Sequence, residues 1–128
     1  MIRIAAWQYP IEALASFDAW RTKLEATVAA AARDNAELLV MPEYAAMELT
    51  SLLSAAEQAT LATQLAAIQA LHEPYLAVLA GAARTYGITI VGGSFPERVE
   101  NAGGYRNRLR GFAPASTRRR TISGNSAS

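Results

Sequence analysis

Glu37-Leu38-Leu39-Val40-Met41-Pro42-Glu43-Tyr44 decides how this chain folds. Leu38 to Met41 is an unbroken apolar run with no polar alternation, the pattern of a short parallel strand covered on both faces of an α/β sheet. Pro42 ends the run, and Glu43 leaves a carboxylate at the strand's exit. Open α/β sheets keep their chemistry at that end.

Upstream, Ile2, Ile4 and Ala6 alternate with their neighbours and predict a first strand before the loop Gln8-Tyr9-Pro10. Ser16 offers a helix cap and Asp18 a first-turn acid. Phe17, Trp20, Leu24, Val28 and Ala31 then form one apolar stripe on a helix that ends near Asp34-Asn35. Downstream, Ser54 and Glu57 have the spacing of a capping box. Leu61, Leu65 and Ile68 continue a helical stripe to His72, a further helix starts at Pro74, and its inner face carries Leu76, Leu79 and Ala83. Gly87 ends that helix. Ile88 to Val91 predicts a third strand running into Gly92-Gly93-Ser94-Phe95-Pro96. Asn101-Ala102-Gly103-Gly104 has the composition of a hairpin turn, after which Tyr105 to Phe112 returns antiparallel. This order of elements is that of an α/β layered fold.

At 128 residues the chain fits one small domain, or the front part of a larger one, with a modest core of marginal stability. Hydrophobic residues make up 52%, but alanine supplies much of that share, so each helix contributes little apolar area. There is no cysteine, which excludes disulfides, thiolate metal sites and a thiol nucleophile from these residues and fits a reducing compartment. No charged leader precedes the first strand, and no run of eighteen apolar residues occurs, so a cytoplasmic location off the membrane is expected. The net charge of +1 conceals an asymmetry. Five basic residues face ten acidic ones up to Glu97, whereas seven arginines face Glu100 alone from Arg98 onward. From Ala113 to Ser128 only Ile122 is a large aliphatic residue, which predicts a basic, disordered tail.

An ordered set of segments resembles the carbon-nitrogen hydrolases of the nitrilase superfamily. Ile2-Arg3-Ile4-Ala5-Ala6-Trp7-Gln8 is similar to their opening strand, and Leu39-Val40-Met41-Pro42-Glu43-Tyr44 to the segment that carries their catalytic glutamate. Ala80 to Phe95 resembles the next helix and strand, and Tyr105-Arg106-Asn107-Arg108 the start of the strand after it. The resemblance covers residues 1–112, which it implies are the N-terminal portion of an α-β-β-α sandwich. It further implies hydrolysis of a non-peptide amide, or a nitrile, by a Glu-Lys-Cys triad without cofactor or metal. The full-length form would be a homo-oligomer paired through helix faces. In such a triad glutamate takes the thiol proton, the thiolate attacks the substrate carbon, and lysine stabilises the oxyanion.

Only Glu43 carries over as a catalytic residue. The places of the lysine and cysteine fall in the arginine-rich tail or beyond it, and a family domain is about twice this long. The resemblance therefore implies a truncated, inactive fragment, whose tail of Arg, Ala, Ser and Pro has the composition of out-of-frame translation of a GC-rich gene. The alternative is a non-catalytic interaction module that pairs with a complete hydrolase subunit or binds an anionic partner through the tail.

The remaining polar residues read blandly. Lys23 flanks the first helix's apolar stripe as an ordinary surface lysine. Glu48 reads as a solvated acid rather than a partner of Glu43. His72, the only histidine, reads as a helix-terminal surface residue, since a metal site needs several convergent ligands. Gly92-Gly93 and Gly103-Gly104 lack the strand-to-helix setting of a phosphate loop. Arg106, Arg108 and Arg110 would share one face of a strand. Their mutual repulsion argues against a well-formed strand there, and nucleic acid is not the expected partner.

Overall fold

The computed structural model of the chain describes residues 2–8, 10–100, 103–114 and 119–127, the last of these by backbone alone. Strand β1 (Ile4–Ala6) is followed by helix α1 (Phe17–Arg33), strand β2 (Leu38–Val40) and a 3₁₀ helix (Ala45–Leu52). Helices α2 (Ala55–Gln58), α3 (Leu61–Ile68) and α4 (His72–Tyr86) come next. Strands β3 (Thr89–Val91), β4 (Phe95–Arg98), β5 (Tyr105–Phe112) and β6 (Arg119–Ala127) complete the order.

The helices form where the sequence provides both a stripe and its stops. Ser16 Oγ accepts from Ala19 N at 3.0 Å to start α1, whose stripe of Trp20, Leu24, Val28 and Ala31 is buried. Asn35 ends it in the left-handed conformation, with Ala36 N returning to Ala31 O at 3.0 Å. Gly87 ends α4 in the same way, at φ 64°, with Ile88 N bonded to Ala83 O. Both closures turn the chain straight into a strand. The Ser54–Glu57 capping box forms with both of its hydrogen bonds. Helix α4 begins at His72, two residues ahead of the expected start, because a 3₁₀ turn (Gln69–Leu71) feeds it directly.

The sheet is six-stranded and mixed. β1, β2 and β3 are parallel and in register, Ala5 beside Leu39 and Leu39 beside Ile90. Leu39 and Ile90 are buried, as are Leu24, Val28, Leu76 and Leu79 of α1 and α4. An aromatic file crosses this core: Trp20 stacks on Tyr75 at 5.4 Å between centroids, Tyr75 meets Phe95 at 5.2 Å, and Phe95 meets His72 at 4.7 Å. Rings of this size supply much of the buried area in so alanine-rich a chain.

β3 and β4 follow one another along β5. Val91 pairs with Gly111 and Phe95 with Arg108, so Gly92, Gly93 and Ser94 stand opposite Leu109 and Arg110. This is a β-bulge, which bends the strand and re-aims its residues. The third strand lies where Ile88 to Val91 predicts it, and the segment it runs into adds the bulge and a further strand, β4. Beyond β4, Val99 N bonds Gly104 O at 2.9 Å, while Asn101 and Ala102 of the expected turn lie outside the described residues.

One expectation about the end of the chain requires correction. β5 is well formed despite its arginines, and Glu97 of β4, opposite Arg106 in the register, offsets part of their repulsion by pairing with Arg108 and Arg110. Its carboxylate takes both guanidinium nitrogens of Arg110 and lies 3.9 Å from Arg108 Nε. Farther along, the backbone of Arg119–Ala127 runs antiparallel along β5. Strand addition requires backbone donors and acceptors on a free edge rather than an apolar pattern in the added strand. The rest of the tail from Ala115 to Thr117, with Arg118 and Ser128, lies outside the described residues.

Candidate functional site

Glu43 lies in the turn that leaves β2, an inner strand flanked by β1 and β3, and its side chain is exposed. Its backbone is held firmly. Ser94 N and Ser94 Oγ both donate to Glu43 O, at 2.8 and 2.9 Å. One residue earlier, the Gly93 backbone presses so closely that a Cβ there would overlap Pro42 O and sit 2.9 Å from Glu43 O. Only glycine allows this approach. From behind, the buried Tyr75 hydroxyl donates to Gly93 O at 3.2 Å, and burial keeps its pKa well above the ordinary 10. The bulge thus ties the strand end that carries Glu43 to the aromatic file of the core.

Immediately downstream, the 3₁₀ helix brings Tyr44 and Met47 opposite Leu61 and Leu65 of α3. These side chains, with Ser94, Pro96 and Asn107, line a cavity of about 170 Å³. Tyr44 and Leu61 remain 60% and 63% exposed at it.

Glu48 does not join Glu43, and it is not solvated: its residue is 1% exposed. The surface-lysine expectation for Lys23 fails with it. Lys23 Nζ reaches Glu48 Oε2 at 2.6 Å, Glu12 Oε1 at 3.2 Å and Pro10 O at 2.5 Å. The same carboxylate oxygen accepts from Glu12 N at 2.8 Å, and Ser51 Oγ accepts from Leu14 N at 3.0 Å. Together these bonds clamp the loop after β1 onto α1 and the 3₁₀ helix. Burial pushes the Glu48 carboxyl above its ordinary range, with the Glu12 amide opposing. Lys23 is thereby committed to a structural pair, away from Glu43.

His72 is likewise not a surface residue, its side chain being 17% exposed. Its Nε2 lies 3.0 Å from Arg110 Nη1 and 3.2 Å from Glu97 Oε2. Which of the two it bonds depends on the proton: a bare Nε2 accepts from Arg110, and a protonated Nε2 donates to Glu97. Burial lowers its pKa, with Glu97 acting against and Arg110 with that shift. Among the described residues no group of three or more His, Cys, Asp or Glu converges to hold a metal, and no helix is long and apolar enough to cross a membrane.

Sequence reasoning weighed Gly92-Gly93 only as a phosphate loop and passed over Ser94 and Tyr75. The available signal was a glycine pair directly after a strand, which marks close backbone approach.

The same arrangement of strands and helices occurs in solved structures. An amidase from Nesterenkonia sp. AN1, in a form where acrylamide has added to the active-site cysteine, matches at TM-score 0.59 and 19% identity over 98% of this chain and 45% of that one. A second variant of that amidase, described as belonging to the nitrilase superfamily, matches at TM-score 0.55 and 20% identity over 98% and 44%. A carbon-nitrogen hydrolase superfamily protein from Xanthomonas campestris, with an arsenic adduct in its active site, matches at TM-score 0.55 and 21% identity over 98% and 38%. These likenesses concern the fold, and the chain spans less than half the length of each structure. No curated protein matches the sequence. The carbon-nitrogen hydrolase family model matches residues 3–113. With that match running from β1 through the end of β5, this chain belongs to the carbon-nitrogen hydrolase family.

Proposed function

We propose that these residues form the glutamate-bearing half of an amide-hydrolysing site in which Glu43 is the general base. The observation that carries this reading is the placement of Glu43 at the exit of an inner parallel strand, its carbonyl bonded twice by Ser94. A base must be held still relative to the proton it takes, and a clamped backbone leaves only the side-chain torsions to vary. The nucleophile would be a cysteine thiol, as in the amidase whose active-site cysteine takes up acrylamide. A thiol with an ordinary pKa near 8.5 is a weak nucleophile at neutral pH until a base takes its proton.

These 128 residues contain no cysteine, and their one lysine is bound to Glu48. The thiol and the cation for the oxyanion would therefore come from another segment or chain, and the 128 residues alone turn over no amide. Binding of an anionic partner through the arginines is the weaker reading, because Arg108 and Arg110 are turned toward Glu97.

A chimera tests the proposal. Residues 1–112 replace the matching N-terminal portion of the Nesterenkonia amidase, leaving its cysteine-bearing remainder in place, and ammonia release from simple amides is measured. The folded chimera is expected to hydrolyse amides, and Glu43→Gln to lower kcat by about 10²- to 10⁴-fold, the usual worth of a general base. A chimera that folds and hydrolyses amides equally well with Gln at that position refutes the role of Glu43.

A further inference from the structure

We infer that His72, Glu97 and Arg110 form a proton-operated switch on the β4–β5 pair, in which a proton taken up by His72 transfers its Nε2 from Arg110 to Glu97 and frees the Arg110 guanidinium. Three elements meet there. His72 opens α4, Glu97 lies in β4 and Arg110 in β5, and their side chains are 17%, 16% and 13% exposed. So little water screens these charges only weakly from one another. Among the described residues, the other charged groups around the ring are Arg108, whose Nε lies 3.9 Å from Glu97 Oε1, and Glu73, next to His72 on α4.

The two states differ by one proton and one partner. With Nε2 bare, Arg110 Nη1 donates to it at 3.0 Å while the guanidinium holds Glu97 by both terminal nitrogens. A proton from solvent occupies the Nε2 lone pair, so the bond from Arg110 is lost and an imidazolium faces a guanidinium. The new N–H has an acceptor in Glu97 Oε2 at 3.2 Å. One of the two cations must then withdraw. The imidazole is the less free, because its ring packs on Phe95 at 4.7 Å between centroids and its backbone opens α4. The longer Arg110 side chain has more torsions to turn and gives way.

The switch adjoins the bulge. Arg110 O accepts from Gly92 N at 3.0 Å, and Phe95 directly follows Ser94, the residue that holds Glu43 O. Release of Arg110 therefore reaches the backbone beside Glu43 by a hydrogen bond and a ring contact. Among side chains of ordinary pKa only histidine changes its charge between about pH 5 and 8, and His72 is the one histidine in the chain.

The test is an NMR titration of the full 128-residue chain, labelled with nitrogen-15, from about pH 8 to about pH 5. The His72 ring, the Arg110 guanidinium and the amides of Gly92, Ser94 and Phe95 are expected to share one midpoint below the ordinary 6.5, while the amide of Val28 in α1 stays still. His72→Gln should abolish the shared transition. Glu97→Gln keeps the histidine and removes both its acceptor and the opposite charge, so the midpoint should fall and the Arg110 signal should follow it down.

Titration of His72 while Arg110 and Ser94 stay still, a transition that persists in His72→Gln, or a midpoint unmoved or raised in Glu97→Gln each overturns the inference. Global unfolding as the ring takes up its proton also overturns it, since the switch is a local change within a folded chain.

Discussion

Replacing Lys23 by methionine keeps the aliphatic stem and removes the ammonium that lies 2.6 Å from Glu48 Oε2. The Glu48 side chain is 0% exposed, so the carboxylate must stay charged without its cation or take up a proton. The first course costs about 3–5 kcal/mol for an uncompensated buried charge. The second is bounded by chemistry: protonating at pH 7 a carboxyl whose ordinary value is 4.5 costs about 3 kcal/mol, at about 1.4 kcal/mol per pH unit. The cheaper route sets the limit, so Lys23→Met should lose about 3 kcal/mol at pH 7. That is a large share of the roughly 5–15 kcal/mol available to a domain.

Glu48→Gln should lose less, about 1–2 kcal/mol, because Lys23 keeps Pro10 O and Glu12 and is 18% exposed to water. The double variant Lys23→Met/Glu48→Gln removes both charges at nearly constant volume and should lie within about 1 kcal/mol of the parent. Urea unfolding of the four proteins at pH 7 and pH 5 measures all of these quantities. The penalty of Lys23→Met should shrink toward pH 5, since the stranded carboxyl is then protonated at little cost. Single-variant losses that simply add in the double, together with a Lys23→Met penalty equal at both pH values, would refute the reasoning.

Two further outcomes follow from the site. Gly93→Ala forces a methyl against Pro42 O and Glu43 O, backbone atoms that cannot move without breaking the Ser94 bonds, and should lower stability by about 1–3 kcal/mol, the usual cost of overpacking. Unfolding midpoints that coincide with the parent's would mean that the clamp is loose. His72 has a lowered pKa in the fold, so the native state binds fewer protons than the unfolded chain between that value and the ordinary 6.5. Its contribution is complete above about pH 6.5 and is lost as pH falls through the lowered value. A series of unfolding curves from pH 8 to 5 should show this slope in the parent and a shallower one in His72→Gln, and parallel profiles count against it.

What the sequence discloses here follows the range of the interactions. The helices and the three parallel strands were legible because a stripe, a cap or an apolar run is contained in a few neighbouring residues: Ser16 and Ala19, Ser54 and Glu57, Leu38 to Met41. Glu43 was legible for the same reason, standing directly after its strand. The pairs that give the site its rigidity are distant in the chain. Lys23 and Glu48 are 25 residues apart, His72 and Arg110 are 38, and Ser94 reaches back 51 residues to Glu43 O. Each of these residues, taken in its local setting, resembles a solvated polar side chain, because no period connects it to its partner. The arginines of β5 show how far this can mislead: three like charges on one face argue against a strand until the neighbouring strand supplies Glu97. A charge pattern is therefore informative about a strand only once its pairing is known. The same holds for Gly93, whose significance is a carbonyl fifty positions away in the sequence rather than a phosphate.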